Sequence, residues 1–95
     1  MNDFEGDLLI GGLTLRHLHG ELEEEVHDEA SPDWLLAGKI VVGPDEQRLL
    51  QVGRRYRLQL ADGRAGQVVI SRLAEDTDDH YVAEFHPQNT PNLPR

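Results

Sequence analysis

The sequence contains no cysteine. This absence excludes disulfides, thiolate zinc sites and cysteine nucleophiles, and it suits a reducing cytoplasm. The chain also lacks an apolar run near the ~20 residues that a membrane-spanning helix needs, and it does not open with a basic and apolar leader. We therefore predict a cytoplasmic protein with no membrane contact.

Basic residues are scarce in the first half of the chain. Residues 1–47 contain twelve acidic side chains and only Arg16 and Lys39 as strong bases, and the whole chain has a formal net charge of −9. Acidic surfaces repel phosphates and release no counterions, so we predict no binding to nucleic acid. A chain of 95 residues can build one core. We predict a single domain over residues 1–86 and a disordered, proline-rich tail over 87–95.

Residues 54–73 alternate apolar and polar side chains on both sides of a turn signal, Asp62-Gly63. The apolar residues of both arms have even numbers: Tyr56, Leu58, Leu60, Val68 and Ile70. A two-residue loop would put the two sets on opposite faces, whereas a three-residue loop over 61–63 pairs Tyr56 with Val68 and puts them on one face. We predict a hairpin with this odd-length loop and with Gly63 in the left-handed conformation.

A second hairpin is predicted at Leu8–Leu15, where a two-residue turn at Gly11-Gly12 pairs Leu8 with Leu15. A single bulged strand is the alternative. Before it, residues 1–7 are predicted to be a frayed terminus, and whether it anchors through Phe4 is left open.

Residues 15–30 fit either a helix or a strand, because their leucines satisfy both spacings. A helix would gather acids at its C-terminal end, where the macrodipole disfavours them, and would contain Gly20. In addition, Leu18–Leu22 and Leu36–Ile40 share the pattern L-x-G-x-[LI], which is typical of neighbouring strands that bend at their glycines. We favour a strand and keep the helix as the alternative.

The remaining segments are assigned from turn residues and alternation. We predict an acidic loop over 23–33, a strand over 34–42 with Trp34 in the core, a short helical turn or irregular crossover over 45–52, an acidic loop over 74–79 and a last strand over 80–86. Together these predict an all-β domain: a small antiparallel barrel or half-barrel of five to six strands with at most one short helical turn.

Short strands with a basic first arm and an Asp62-Gly63 turn resemble SH3-like or split-barrel domains. In outline they are also similar to the PilZ group of nucleotide-binding barrels. The [D/N]-x-S-x-x-G strand of that group is absent around Ser71, because neither the acid before it nor the glycine after it is present. The resemblance therefore does not imply binding of a cyclic dinucleotide.

Two groups of residues are candidate binding sites. His17, His19 and Glu21 recur at strand spacing and are the start of a possible metal site, although surface histidines with no metal give the same pattern. Four arginines of the central hairpin form a candidate anion-binding or partner-binding face: Arg55, Arg57, Arg64 and Arg72. The alternative, which we favour, is that most of them pair with the acidic half of the domain.

The sequence shows no activated nucleophile and no phosphate-binding glycine loop, so we predict no enzyme activity and no cofactor. The leading hypothesis is a non-catalytic interaction module that binds a protein partner, with self-association as an option. The alternative is a metal- or anion-binding domain that uses His17, His19 and Glu21, or the face of Arg55 and Arg57.

Overall fold

The computed structural model describes residues 2–27, 33–77 and 79–88, which form six strands and one short helix. The elements are β1 (Asn2–Ile10), β2 (Leu13–His27), β3 (Trp34–Val42), α1 (Pro44–Gln47), β4 (Arg55–Leu60), β5 (Ala65–Thr77) and β6 (His80–Pro87). The strands close into an antiparallel barrel in the order β1-β2-β3-β6-β5-β4. The predicted all-β barrel is confirmed, and it is fully closed rather than a half-barrel.

The connection through α1 gives the barrel a Greek-key topology. β1, β2 and β3 form a meander, and the chain then crosses through α1 so that β4 lies beside β1. Two long-range pairings close the barrel: β1 pairs with β4, and β3 pairs with β6. The crossover begins at Pro44, and the Gly43 N–H donates to Glu46 Oε1 at 2.8 Å. No helix in the described part of the chain is long and apolar enough to cross a membrane.

The central hairpin, β4–β5, has the predicted odd-length loop. Tyr56 lies opposite Val68 and both are buried, with exposures of 3% and 0%. The Leu60 N–H donates to the Arg64 carbonyl at 2.7 Å, and Gly63 has a φ of +101°. The left-handed Gly63 lets the turn close while the apolar residues of both strands stay on the core face.

The first hairpin also forms as predicted, with Leu8 opposite Leu15 across the Gly11-Gly12 turn. The prediction that residues 1–7 fray is wrong. From Asn2 onward, β1 pairs with β2, and Phe4 packs edge-on against Phe85 with ring centroids 6.3 Å apart. Pairing with a neighbouring strand orders this acidic segment. Its sequence did not predict that order because it contains too few apolar residues.

The segment that fitted both helix and strand is part of β2, and its repeated pattern is explained by close main-chain contacts. A Cβ on Gly20 would lie 2.2 Å from the Lys39 carbonyl oxygen, and one on Gly38 would lie 2.1 Å from that of Glu21. Both distances are far below van der Waals contact. The two glycines therefore allow β2 and β3 to approach each other closely.

The two predicted acidic loops, 23–33 and 74–79, are wrong for the residues that continue the preceding strand. β2 continues to His27, and β5 continues to Thr77, where residues 74–77 pair with the start of β6. In each case a bulge accompanies the extension, and exposed acids occupy the strand because only one of its sides is paired. Residues 28–32 of the first predicted loop lie outside the described residues.

The core is a single cluster of inward side chains. Its members are Leu8, Leu15, Leu18, Leu22, Leu36, Ile40, Val42, Leu50, Tyr56, Leu58, Leu60, Val68, Ile70, Ala83 and Phe85. Trp34 packs against the edge of this cluster and is only partly buried. β6 extends to Pro87, one residue past the predicted domain boundary, and the Gln88 N–H donates to the Gln67 carbonyl at 3.0 Å. The rest of the predicted tail, residues 89–95, lies outside the described residues.

Candidate functional site

The candidate site is a depression of about 420 Å³ on the outward face of the barrel. Its lining comes from five neighbouring strands and comprises Asp3, Phe4, His19, Gly20, Glu21, Lys39, Val41, Asp76 and Val82. Its volume lies within the range of ligand pockets, which is roughly 300–1,000 Å³. The depression is open to solvent, so it can take a protruding side chain or segment.

Strand alternation explains how apolar side chains reach this outward face. Ile40 and Val42 point into the core and are buried, so Val41 between them points outward, where it is 38% exposed. Val82 lies opposite Val41 on β6, between inward neighbours. On β2, His19 lies opposite Val41 on the other side. The two valines therefore lie side by side among polar residues.

The charged residues of the depression are mostly acidic. Lys39 approaches Glu21, with Nζ 3.8 Å from Oε1. Asp3 and Asp76 form no ion pair with any described residue. The lining thus has two carboxylates left over once its single lysine is matched, so it attracts positive charge.

The predicted metal ligands are only partly brought together. His19 and Glu21 line the depression. His17 does not, because it lies at a bulge where two residues of β2 are opposite Asp7, and it lines a neighbouring depression together with His19. His17 has a φ of +60°, its N–H donates to Asp7 Oδ1 at 3.1 Å, and its Nδ1 lies 3.2 Å from Glu5 Oε2. Within residues 2–27, 33–77 and 79–88, no three His, Asp or Glu side chains are arranged to hold a metal ion. The metal site stays a prediction without support from this geometry.

Three of the four predicted arginines lie in ion pairs inside the domain. Arg57 makes two hydrogen bonds to the Asp33 carboxylate at 3.2 and 3.4 Å. Arg72 lies 3.9 Å from Glu84 across the β5–β6 pair. Arg55 is exposed and pairs with no described acid. The paired arginines thus contact different acids, and the anion-binding face stays a prediction.

Arg64 is the most strongly held of the four. Its guanidinium lies 5.4 Å from the centroid of the Trp34 ring and bonds to the carboxylates of Glu25 and Asp62. Burial alone would lower the pKa of Arg64, but its hydrogen bonds to Glu25 and Asp62 raise it overall. The Arg64 N–H and guanidinium in turn hold the pKa of Asp62 below its usual value. This cluster holds Arg64 to acidic and aromatic side chains of the domain itself.

Comparison with models of protein families, with curated proteins and with solved structures returned no match to this chain. The site therefore rests on its own geometry. Sequence reasoning proposed two of its residues, His19 and Glu21, for a different role, and it missed Val41, Val82 and Asp76. The available signal was Val41 itself, a large apolar residue at an outward position of a cleanly alternating strand.

Proposed function

We propose that this chain is a non-catalytic interaction module that binds a protein partner through the depression around Val41. The observation that carries the proposal is the pair of outward valines, Val41 and Val82, in a concave surface that also contains Phe4 and several charged side chains. Interfaces commonly bury an apolar centre within a polar rim, and this arrangement matches that pattern.

We also propose that the depression is not catalytic, and the way its polar groups are held supports this. His19 makes no hydrogen bond to any described residue, so nothing orients its ring as a general base. Among the described residues, the lining contains no serine, threonine or tyrosine that could act as a nucleophile. Catalytic sites need groups fixed by neighbours, and this lining offers apolar surface and unpaired carboxylates instead.

The charge of the depression indicates the chemistry of the partner. Asp3 and Asp76 flank the two valines, and the whole chain has a net charge of −9. A protein segment with an apolar side chain next to arginine or lysine would satisfy both features, whereas a nucleic-acid backbone would be repelled. We place this interaction in the cytoplasm, since a chain without cysteine gains nothing from an oxidising compartment.

A photo-crosslinking amino acid at position 41 tests the proposal in living cells. We expect covalent adducts with one protein from position 41 and none from the matched control, Val26, which is 56% exposed on a different surface. Mass spectrometry of the adduct identifies the partner segment. Adding Val82→Glu should remove the adduct while the circular dichroism spectrum stays unchanged, because Val82 lies outside the core cluster.

Equal adducts from positions 41 and 26 would show nonspecific contact and contradict the proposal. Adducts that survive Val82→Glu in a folded protein would show that the partner does not use the depression. A partner segment without basic residues would support binding at the depression but contradict the role of Asp3 and Asp76 in attracting positive charge.

A further inference from the structure

The outer edge of β5 has no strand partner beyond Ile70 among the described residues. At Ile70 the loop before β4 still covers the edge: the Ile70 N–H donates to the Arg54 carbonyl at 3.3 Å, and the Gly53 N–H donates to the Ile70 carbonyl at 2.7 Å. From Ser71 to Thr77, β5 pairs with β6 alone. An unpaired edge presents main-chain donors and acceptors that another strand can satisfy.

The hydrogen bonds of Ile70 establish which main-chain groups point toward this edge. The side chain of Ile70 points into the core, and its N–H and C=O point toward β4. Because side chains and main-chain groups alternate together along a strand, the other inward residues of β5 also point their N–H and C=O toward this edge. The bulge at Ser71 shifts the alternation by one residue, so the next inward residue is Leu73. The unpaired edge therefore presents the main-chain groups of Leu73 and Glu75, whereas those of Ala74 face β6.

The outward side chains along this edge are self-complementary. Arg72 and Asp76 lie two residues before and two residues after Ala74, and both are exposed. Arg72 also lies 3.9 Å from Glu84, and Asp76 is the extra residue of the second bulge in β5. An antiparallel second copy centred on Ala74 places Arg72 of each copy opposite Asp76 of the other. The same alignment places Leu73 opposite Glu75, which are the residues whose main-chain groups face the edge. Opposite charges at directly paired positions stabilise a sheet.

We propose that two copies of this chain associate through their β5 edges, around a two-fold axis at Ala74, to form a continuous β6-β5-β5-β6 sheet. Ala74 lies between the bulges of β5 at Ser71 and Asp76, so this alignment uses the regular part of the edge. The contact is the same on both copies and closes at a dimer. A charge of −9 on each copy opposes association, so we expect a weak dimer in rapid exchange. Asp76 belongs both to this contact and to the lining of the depression, so the dimer would engage one of the two carboxylates that the proposed function uses.

Sedimentation equilibrium of the purified chain over a concentration series measures this dimer. Glu75→Pro removes an N–H from the unpaired edge, and an edge position of this kind tolerates proline. We expect it to raise the dimer Kd by at least about tenfold. The matched control Glu75→Gln removes the same charge and keeps the N–H, so its Kd should change by less than about threefold.

A charge swap tests the alignment itself. Arg72→Asp puts two acids opposite each other and should weaken the dimer by about tenfold. The double variant Arg72→Asp with Asp76→Arg keeps the net charge of the original chain and should restore dimerisation. Failure of the swap to restore it would rule out the axis at Ala74.

Amide hydrogen exchange gives a second readout that needs no variant. The amides of Leu73 and Glu75 should exchange more slowly as the protein concentration rises, and the amide of Ala74 should not change because it already bonds within the hairpin. A chain that stays monomeric at millimolar concentration, oligomers that grow beyond two, or a folded Glu75→Pro that dimerises as the original chain does would each overturn the proposal.

Discussion

Two hairpin arms of the barrel, one from β2–β3 and one from β5–β6, are held to the rest of the structure in different ways. The β2–β3 arm (residues 23–27 and 34–37) is fastened at its base by Arg64, which contacts Trp34 and Glu25. In the β5–β6 arm (residues 71–77 and 80–84), Leu73 and Tyr81 pack against the core, and residues 81–84 also pair with β3. The β2–β3 arm thus adds aromatic and ionic contacts of Arg64 to the burial of Leu36, whereas the β5–β6 arm relies on apolar packing and strand pairing.

The outer edges of the two arms also differ in charge. The β2 edge carries the exposed acids Glu23 and Glu24, and a second copy would bring like charges together there. The β5 edge carries Arg72 and Asp76, and in an antiparallel second copy each of them would face the opposite charge. Strand edges are commonly protected by charge, and the comparison shows that the sign pattern decides whether charge prevents pairing or permits it.

The largest expected effect tests the base of the β2–β3 arm. A Cβ on Gly66 would lie 2.1 Å from the Trp34 carbonyl oxygen, and main chain cannot move aside as a side chain can. We expect Gly66→Ala to reduce the free energy of unfolding by about 2–4 kcal/mol, measured by urea denaturation. Gly12→Ala is the control, because no atom lies within 4 Å of its Cβ position. Equal effects at both sites would show that the contact at Trp34 is not tight.

The next prediction separates the two kinds of attachment. Arg64→Leu should lower the opening free energy of the β2–β3 arm by about 1–2 kcal/mol and leave the other arm unchanged, because it removes two ion pairs and the contact with Trp34. Leu73→Ala should do the reverse by a similar amount, about 1–2 kcal/mol. Residue-resolved hydrogen exchange measures both arms in one sample. Parallel loss in both arms would mean that they open as one unit.

The acids on the β2 edge provide a third test. Glu23→Gln with Glu24→Gln removes the like charges, so we expect the self-association constant to rise by about fivefold. The experiment uses a Glu75→Pro background, so that the β5 edge does not contribute. An unchanged sedimentation profile would mean that the bulge at Glu23, rather than charge, prevents pairing at this edge.

The smallest effect concerns Asp62, whose carboxylate bonds to Arg64. The pKa of Asp62 is lowered in the folded protein, so its ionised form stabilises the fold above the unfolded pKa of about 3.9, and that contribution disappears as pH falls through the lower folded pKa. Asp62→Asn should therefore cost less than about 1 kcal/mol at neutral pH and nothing in strong acid. Thermal unfolding at several pH values measures this, and a constant difference across pH would contradict it.

The alternation of apolar and polar residues within each hairpin was enough to predict which residues lie opposite each other. A loop of the wrong length would have turned Val68 out of the core, so the even-numbered apolar residues required the loop that forms at Gly63. The shared L-x-G-x-[LI] pattern identified two strands that do lie side by side. The pairing of β1 with β4 could not be predicted, because it depends on how distant segments meet. The acidic strand ends were missed because a neighbouring strand orders residues that have no apolar face of their own.

The depression was missed for a related reason. Its lining is drawn from five strands, and only the closed barrel brings Asp3 of the first strand and Asp76 of the fifth to one surface. For His17, by contrast, the sequence pattern suggested an arrangement that the structure does not have. Its spacing from His19 suggested a common face, but a left-handed bulge, which no glycine or asparagine signals, turns it toward Glu5 and Asp7.

The Greek-key crossover has a consequence for how the chain reaches this structure. Gly6 pairs with Leu60 and Gly38 with Phe85, so each closing seam joins segments about half the sequence apart. Ordering such large loops is slow, and folding of β-barrels with many distant pairings commonly takes milliseconds to seconds. During synthesis the second seam cannot form until β6 has left the ribosome. Until then the edges of β3 and β5 are open, and their apolar residues are what a chaperone would bind.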